Sequence, residues 1–333
     1  MEARSLRETL DRLIADDIRT PIFIGGGPGI GKSSIVGQVA RDHDLEVIDL
    51  RLGQIPPSDL RGLPYVEDGI SRYARPEFLP ESGAGILFLD ELSNAVPSVQ
   101  GLAQQLLLER HIGTHRLGDG WFVWSAGNRR EDGAAVHMMP TPVANRMIHF
   151  ELEPSFDDWK PYAIGAGLHE DVLAFLSFRP ELLYKLSRTE RAFPTPRSWE
   201  MASALHRLGI PVHGAVGVGV ADEFSVYVEM VASLPSLDPV LAGDGDTIPW
   251  PKEVSARYAV CTGLALRARA QDEVRRAFRW LEARAGAEWV QVYVADVVIG
   301  FHRRGELGLL AGPTQCDPKF RNFVQETCSA VLA

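Results

Sequence analysis

Residues 25–34 read Gly-Gly-Gly-Pro-Gly-Ile-Gly-Lys-Ser-Ser, directly after the apolar run Pro21-Ile22-Phe23-Ile24 and directly before Ile35-Val36. Gly26, Gly31, Lys32 and Ser33 fit G-x-x-x-x-G-K-[ST] between a predicted strand and a predicted helix, the context a phosphate-binding loop requires. Glycines let backbone N–H groups close around an anion at a helix N-terminus. The candidate cradle is therefore Gly26, Gly27, Pro28, Gly29, Ile30 and Gly31, followed by Lys32, Ser33 and Ser34. In such a loop Lys32 brings a compact positive charge to the β- and γ-phosphates, and the Ser33 hydroxyl is a hard oxygen ligand for Mg2+.

Further along, Ile86-Leu87-Phe88-Leu89 is an apolar run that ends in Asp90-Glu91. Parallel sheets place ligand groups at the carboxyl ends of their strands. Asp90 there can hold Mg2+ through water, and Glu91 can act as the base that water needs before it attacks phosphate. Trp121-Phe122-Val123-Trp124-Ser125-Ala126-Gly127 similarly delivers Asn128, a candidate to orient that water. Arg146 precedes the apolar segment 147–152 and is placed to complete a neighbouring subunit's site in place of its own. Arg197, in Phe193-Pro194-Thr195-Pro196-Arg197-Ser198-Trp199, opens a predicted helix and is a candidate to couple a second domain to the phosphates.

The elements that must hold these residues follow from hydrophobic spacing. Leu6, Leu10, Leu13 and Ile14 predict an amphipathic helix over 5–16. Strands are expected at 21–24, 46–50, 86–89, 121–125 and 147–152, with room for a helical crossover between them, which predicts a mostly parallel five-stranded sheet covered on both faces. Residues 54–82, rich in Pro, Gly and charge, are longer than a plain crossover and are expected to be a surface insertion. Beyond about 155 the strand signal fades, and 170–187 and 198–208 show helical spacing. Pro235, Pro239, Gly243, Gly245, Pro249 and Pro251 mark 234–251 as a linker. The expected plan is an α/β domain over 1–154, a helical lid over 155–235, and a linker plus mainly helical C-terminal region over 236–333.

Composition narrows the function classes. The chain of 333 residues has a formal net charge of −10, which offers no overall attraction to nucleic acid or anionic lipid. The N-terminal stretch is charged and amphipathic, with no span for membrane insertion, so a cytoplasmic location is expected. Cys261, Cys316 and Cys328 lack paired spacing and are expected as reduced thiols. His111 and His115 flank Gly113 in a predicted strand and turn, which does not put both rings on one face as a metal site needs. Arg267, Arg269, Arg275, Arg276, Arg279 and Arg284 are interleaved with Asp272, Glu273 and Glu282, the pattern of a solvated helix face. Trp159 and Trp199 are expected to pack the helical domain.

Taken together, "GGGPGIGKSS", "ILFLDELSNAVPSVQGLAQQLLLER", "WFVWSAGNRREDGA", "TPVANRMIHFEL" and "FPTPRSW" resemble, in this order, the Walker A, Walker B, sensor 1, arginine-finger and sensor 2 motifs of AAA+ ATPases, most closely the MoxR-like branch related to dynein-type modules. The resemblance covers about residues 1–235. It implies a P-loop AAA+ core and an ATP hydrolase that uses Mg2+ and assembles into a ring, as a hexamer. Its implied task is chaperone-like remodelling or maturation of a protein client, together with a partner bearing a von Willebrand factor A domain. The segment 54–82 is similar to the family's insertion in helix 2, and 111–121 to its hairpin before sensor 1. After Asp90-Glu91 the chain has Leu92-Ser93-Asn94-Ala95 where many members have Ile-Asn-Arg-Ala, so the role of that arginine is absent or falls to Arg129 or Arg130. No motif is recognisable in 252–333. A nucleic-acid-stimulated motor or restriction-type NTPase and a nucleotide-gated scaffold are the alternative readings.

Overall fold

The computed structural model describes residues 1–132, 137, 139–310 and 318–331. The chain divides into two compact units, Met1–Pro154 and Ser155–Ala333.

The first unit begins with α1 (Ala3–Ala15), whose Leu6 and Leu10 are fully buried, followed by β1 (Ile22–Gly25), α2 (Lys32–Asp42) and β2 (Glu46–Arg51). Next come α3 (Pro57–Arg61) and a hairpin of β3 (Pro64–Glu67) and β4 (Ile70–Tyr73), then β5 (Gly85–Asp90) and α4 (Pro97–Glu109). A small hairpin of β6 (His111–Ile112) and β7 (His115–Arg116) leads into β8 (Trp121–Gly127), α5 (Thr141–Ala144) and β9 (Ile148–Glu151). Five of these strands form one parallel sheet in the order β2-β5-β8-β1-β9. The two strands with the longest apolar runs, β5 and β8, lie inside the sheet, where both faces are covered, and every residue of β8 is buried. A strand buried on both sides has no polar face to alternate with, and this is why its sequence reads as a continuous run.

The expected insertion at 54–82 takes the form of α3 and the β3–β4 hairpin, which presents Leu63, Tyr65, Val66 and Ile70 to solvent. Its register pairs Pro64 with Tyr73 and Glu67 with Ile70, and the turn between them carries Asp68 and Gly69 at positive φ. Two consecutive left-handed residues match the strand twist of a tight hairpin, which suits Asp-Gly.

The second unit is helical: α6 (Phe156–Gly165), α7 (Glu170–Phe178), α8 (Pro196–Arg207), α9 (His213–Val216), α10 (Val218–Ala232), α11 (Asp238–Ala242), α12 (Val254–Arg267), α13 (Gln271–Glu282), α14 (Ala287–Arg303), α15 (Leu307–Leu310) and α16 (Pro318–Val331). One core gathers Phe175, Trp199, Phe224 and Tyr227, and a second gathers Phe278, Trp280, Tyr293 and Phe301. Trp199 is fully buried and donates from Nε1 to Leu182 O at 2.8 Å; Trp159 also belongs to the first core. The expected architecture, a five-stranded parallel α/β core followed by helical regions, is the one observed.

Two expectations are corrected. The helix expected over 170–187 stops at Phe178, because Pro180 cannot continue it and Arg179 has left the helical region at φ −127°, ψ 64°. The segment 234–251 is a packed element in place of a linker. Leu237, Val240 and Leu241 are buried in the second core, and Gly245 O accepts from Trp280 Nε1 at 2.9 Å. Its prolines and glycines prevent a long helix but do not prevent burial. Cys261 and Cys328 are free thiols, while Cys316 lies outside the described residues. Burial raises the Cys261 thiol well above the ordinary range, so it behaves as a core side chain. Among the described residues no helix is long and apolar enough to cross a membrane.

Candidate functional site

The phosphate loop joins β1 to α2. Gly26 lies at φ 156°, where a Cβ would approach Leu152 O and Ile30 Cδ1 to 2.7 Å, so only glycine fits between β1 and the end of β9. Gly31 is the N-cap of α2 at φ 97°, a left-handed conformation that L side chains avoid, and its Cβ direction opens onto empty space. No side chain caps α2. Its first N–H groups and the positive end of its dipole therefore face the loop, the arrangement that binds anions.

Lys32 is nine-tenths buried, and its Nζ donates to Gly26 O and Gly27 O at 2.8 Å each and to Asn128 Oδ1 at 3.2 Å. Ser33 Oγ donates to Asp90 Oδ2 at 2.7 Å, and Asp90 Oδ1 accepts the backbone N–H of Glu91 at 2.8 Å. Strand order produces these meetings. β8 lies between β1 and β5, with Gly25 level with Gly127 and Leu89 level with Ser125, so the carboxyl ends of all three strands deliver their polar residues side by side. Ser125 Oγ donates to Ile22 O at 2.7 Å from a fully buried position and ties β8 to β1.

Glu91 sits at φ 57° at the start of a one-turn 3-10 helix, Leu92–Asn94. Non-glycine residues in this region are uncommon and concentrate at functional sites. Its carboxylate lies against Gly53, just beyond β2, where an added Cβ would come within 2.7 Å of Glu91 Oε2. Gly53 thus sets the room for the candidate base. Local spacing did not reveal it, since a glycine 38 residues from an acid carries no local signal. Asp49, on the edge strand β2, was missed as well. Its carboxyl is held above the usual carboxylate range, first by desolvation and then by the nearby Asp90 charge, with Arg51 opposing.

Arg146 does not join this group. It is exposed just ahead of β9, whose first residue, Ile148, is level with Ile22 at the start of β1, whereas the loop follows the end of β1. Four strand residues at about 3.3 Å each put it at the amino-terminal end of the strands, opposite the end that carries its own loop and about 13 Å away along the strand direction. Among the described residues no hydrogen bond or ion pair engages its guanidinium. Arg129 contrasts with it: its side chain bonds to Asp132 and to Glu153, and these bonds raise its pKa above the ordinary arginine value. It is committed within its own chain. The Arg130 side chain, and Gly133 and Ala134 at the end of the sensor-like stretch, lie outside the described residues.

In the second unit Arg197 is the second residue of α8, exposed, after a capping box in which Thr195 and Ser198 exchange side-chain-to-backbone bonds at 3.0 and 2.7 Å. His111 and His115 have separate partners, Glu109 at 2.8 Å and Tyr73 O at 2.9 Å. Four of the six arginines of the series are paired, Arg275 locally with Asp272 and the others with residues distant in sequence: Arg267 with Glu170, Arg284 with Asp246, and Arg276 with Leu241 O.

The residues present fit a nucleotide with its metal. A loop of N–H groups and a buried ammonium suit a phosphate chain, and the Ser33 hydroxyl beside the Asp90 carboxylate is an all-oxygen donor set of the kind Mg2+ takes together with water and phosphate oxygens.

No protein-family model matches the chain, and no curated protein matches it. Among solved structures it is similar to a mutant of RuvB from Thermotoga maritima, with 14% identity, 73% of this chain and 75% of that chain covered, and a TM-score of 0.41. It is similar to NtrX from Brucella abortus in complex with ADP, with 14% identity, 99% and 68% covered, and a TM-score of 0.37. A putative ATPase from Cytophaga hutchinsonii gives 13% identity, 89% and 80% covered, and a TM-score of 0.34. These likenesses are distant, and the functional reading rests on the geometry of the loop and its neighbours.

Proposed function

We propose that this chain is an AAA+ ATPase that hydrolyses the β-γ phosphoanhydride of ATP at a site formed by Lys32, Ser33, Asp90, Glu91 and Asn128. The observation that carries this reading is the convergence of three strand ends, with Ser33 bonded to Asp90 and Lys32 bonded to Asn128. The loop N–H groups and Lys32 hold the phosphates. Ser33 and Asp90 would hold Mg2+, which would supply neutralisation of the phosphate charge. Glu91 takes a proton from the attacking water as the water oxygen bonds to the γ-phosphorus, and the bridging oxygen leaves with ADP. Asn128 orients the water.

Arg146 serves the next subunit, which makes each site complete only in a ring, a hexamer by the resemblance of the sequence motifs. Its exposure and its distance from its own loop support this role. Arg197 couples the helical unit to the nucleotide. The task of the ring, remodelling a protein client together with a partner that carries a von Willebrand factor A domain, rests on the resemblance to MoxR-like proteins.

Phosphate release from ATP, measured for the native chain and for Glu91→Gln, tests the reading. Turnover should fall about 100-fold or more in the variant while ATP binding persists. Capture with ATP-loaded Glu91→Gln should then retain the client. Turnover that survives the substitution would remove Glu91 from the mechanism, and strong stimulation by DNA would replace the remodelling role with that of a nucleic-acid motor.

A further inference from the structure

A cavity of about 680 Å³ lies wholly within the second unit, and five arginines line it: Arg207, Arg267, Arg269, Arg303 and Arg304. Glu170 is the single carboxylate among its lining residues. Such a gathering runs against the composition of a chain with a formal net charge of −10. Guanidinium groups keep their protons at any ordinary pH, so an anion placed among them relieves a mutual repulsion that solvent only screens.

The anions of the chain itself meet part of that demand. Glu170 pairs with Arg267 through both carboxylate oxygens, and Glu306 accepts from Arg304 Nε at 2.7 Å. Arg207 is bonded to Gly167 O, which carries no net charge. Arg269 and Arg303 have no hydrogen bond or ion pair of their guanidinium groups among the described residues. The Arg303 stem lies along Gly165, where an added Cβ would come within 3.0 Å of its Cδ, so the absence of a side chain at 165 lets this arginine lie flat in the cavity wall.

Arg207, Arg267 and Arg303 each end a helix, α8, α12 and α14, and a cation in a last turn gains from the helix dipole. That gain explains an arginine at each end. It does not explain why three helix ends, together with Arg269 and Arg304, surround one space. The volume is that of a small-molecule site and far exceeds what a single phosphate fills. Ile164, Leu168 and Leu266 add an apolar wall beside the charges. Arginine forks bind phosphate oxygens two at a time, so several forks around one space suit a run of linked phosphates.

We propose that this cavity is a second anion site, separate from the phosphate loop, that takes a small molecule carrying two or more linked phosphates. Inorganic tripolyphosphate and a nucleoside triphosphate share this chemistry, and the apolar wall distinguishes them, since only the nucleoside has a group to set against it.

Calorimetric titration of the full chain carrying Lys32→Ala, which disables the phosphate loop, tests the site with tripolyphosphate, GTP and citrate as probes. The expected result is one saturable site for tripolyphosphate. In Arg269→Ala/Arg303→Ala on the same background it should weaken at least tenfold, and in Glu170→Gln it should tighten several-fold. Circular dichroism should show that each variant keeps its helices. GTP binding more tightly than tripolyphosphate would support the site with a nucleotide as occupant, and equal affinity would support it with the phosphate chain as the whole recognised group. Absence of saturable binding by either probe, affinity unchanged in the double arginine variant, or citrate binding as tightly as tripolyphosphate would overturn the proposal.

Discussion

Lys32 and Asn128, 96 residues apart in sequence, are joined by a hydrogen bond of 3.2 Å from Nζ to Oδ1 at the ends of neighbouring elements. The bond fixes the Asn128 amide beside the ammonium expected to hold the γ-phosphate. Asn128→Ala should lower turnover about 100-fold, the usual effect of removing one preorganised polar group, while the nucleotide dissociation constant moves within about threefold. Steady-state phosphate release and titration of a fluorescent nucleotide separate the two quantities. If affinity falls in step with turnover, Asn128 serves to hold Lys32 and has no part in orienting water.

The position of Arg146 makes a prediction about mixtures. The residue lies just ahead of β9 and the loop follows the end of β1, at opposite ends of two paired strands, which is why the role proposed for it is toward a neighbouring subunit. Arg146→Ala should bind ATP normally and lose about 10³-fold or more of its turnover. Mixing it with Lys32→Ala subunits, themselves unable to bind nucleotide, should restore part of that turnover, because some interfaces then pair an intact loop with an intact arginine. Sedimentation of the mixture should show one assembly. If the mixture forms one assembly and regains no turnover, the arginine assignment is wrong.

Inside the second unit, Lys160 Nζ lies 2.6 Å from Asp296 Oδ1, and Thr262 Oγ1 donates to Asp296 Oδ2 at 3.1 Å. The Asp296 side chain is 1% exposed, so the charge depends on these two partners. Lys160→Met strands a buried carboxylate and should cost about 3–5 kcal/mol, whereas Lys160→Met/Asp296→Leu should be close to neutral or stabilising. Denaturant unfolding of the three proteins checks this. A single variant as stable as the native chain would mean that water reaches Asp296.

His169 gives the second unit a pH dependence. Its Nδ1 accepts the backbone N–H of Asp171 at 3.2 Å and so caps α7. Burial lowers its pKa first, and His206 and Arg207 add to this against the opposing charges of Asp171 and Glu170. A depressed histidine pKa means that the unfolded chain binds the proton more readily. Stability is therefore full above the ordinary histidine value of about 6.5 and declines as pH falls through and below it. Thermal melts at pH 7.5 and 5.5 should show a lower midpoint at the acid end. His169→Asn, which keeps a capping oxygen without the titration, should narrow the difference. An unchanged difference would assign the pH dependence to other groups.

Local spacing was enough for much of the architecture. The apolar runs before the loop, at 46–50, 86–89, 121–125 and 147–152, became strands of one parallel sheet, since a strand covered on both faces must be apolar along its length. The loop itself could be read from Gly26, Gly31, Lys32 and Ser33 because its glycines answer to backbone conformation, which is set within a few residues. Spacing misjudged 234–251, where Pro and Gly ruled out a long helix but could not reveal that Val240 and Leu241 would be covered by the second core.

What the chain order could not disclose was which strand ends would become neighbours. Placing β8 between β1 and β5 brought Asn128 to Lys32, Gly53 came to lie against Glu91, Arg129 was tied to Glu153, and Arg146 was left at the end of the strands away from the loop. The five arginines of the cavity in the second unit come from helix ends and loops spread over nearly one hundred residues. Side-chain periodicity reports only which face of an element is buried. Which elements then pack together is decided by the collective fit of their surfaces, so contacts of this kind exist only in the folded chain.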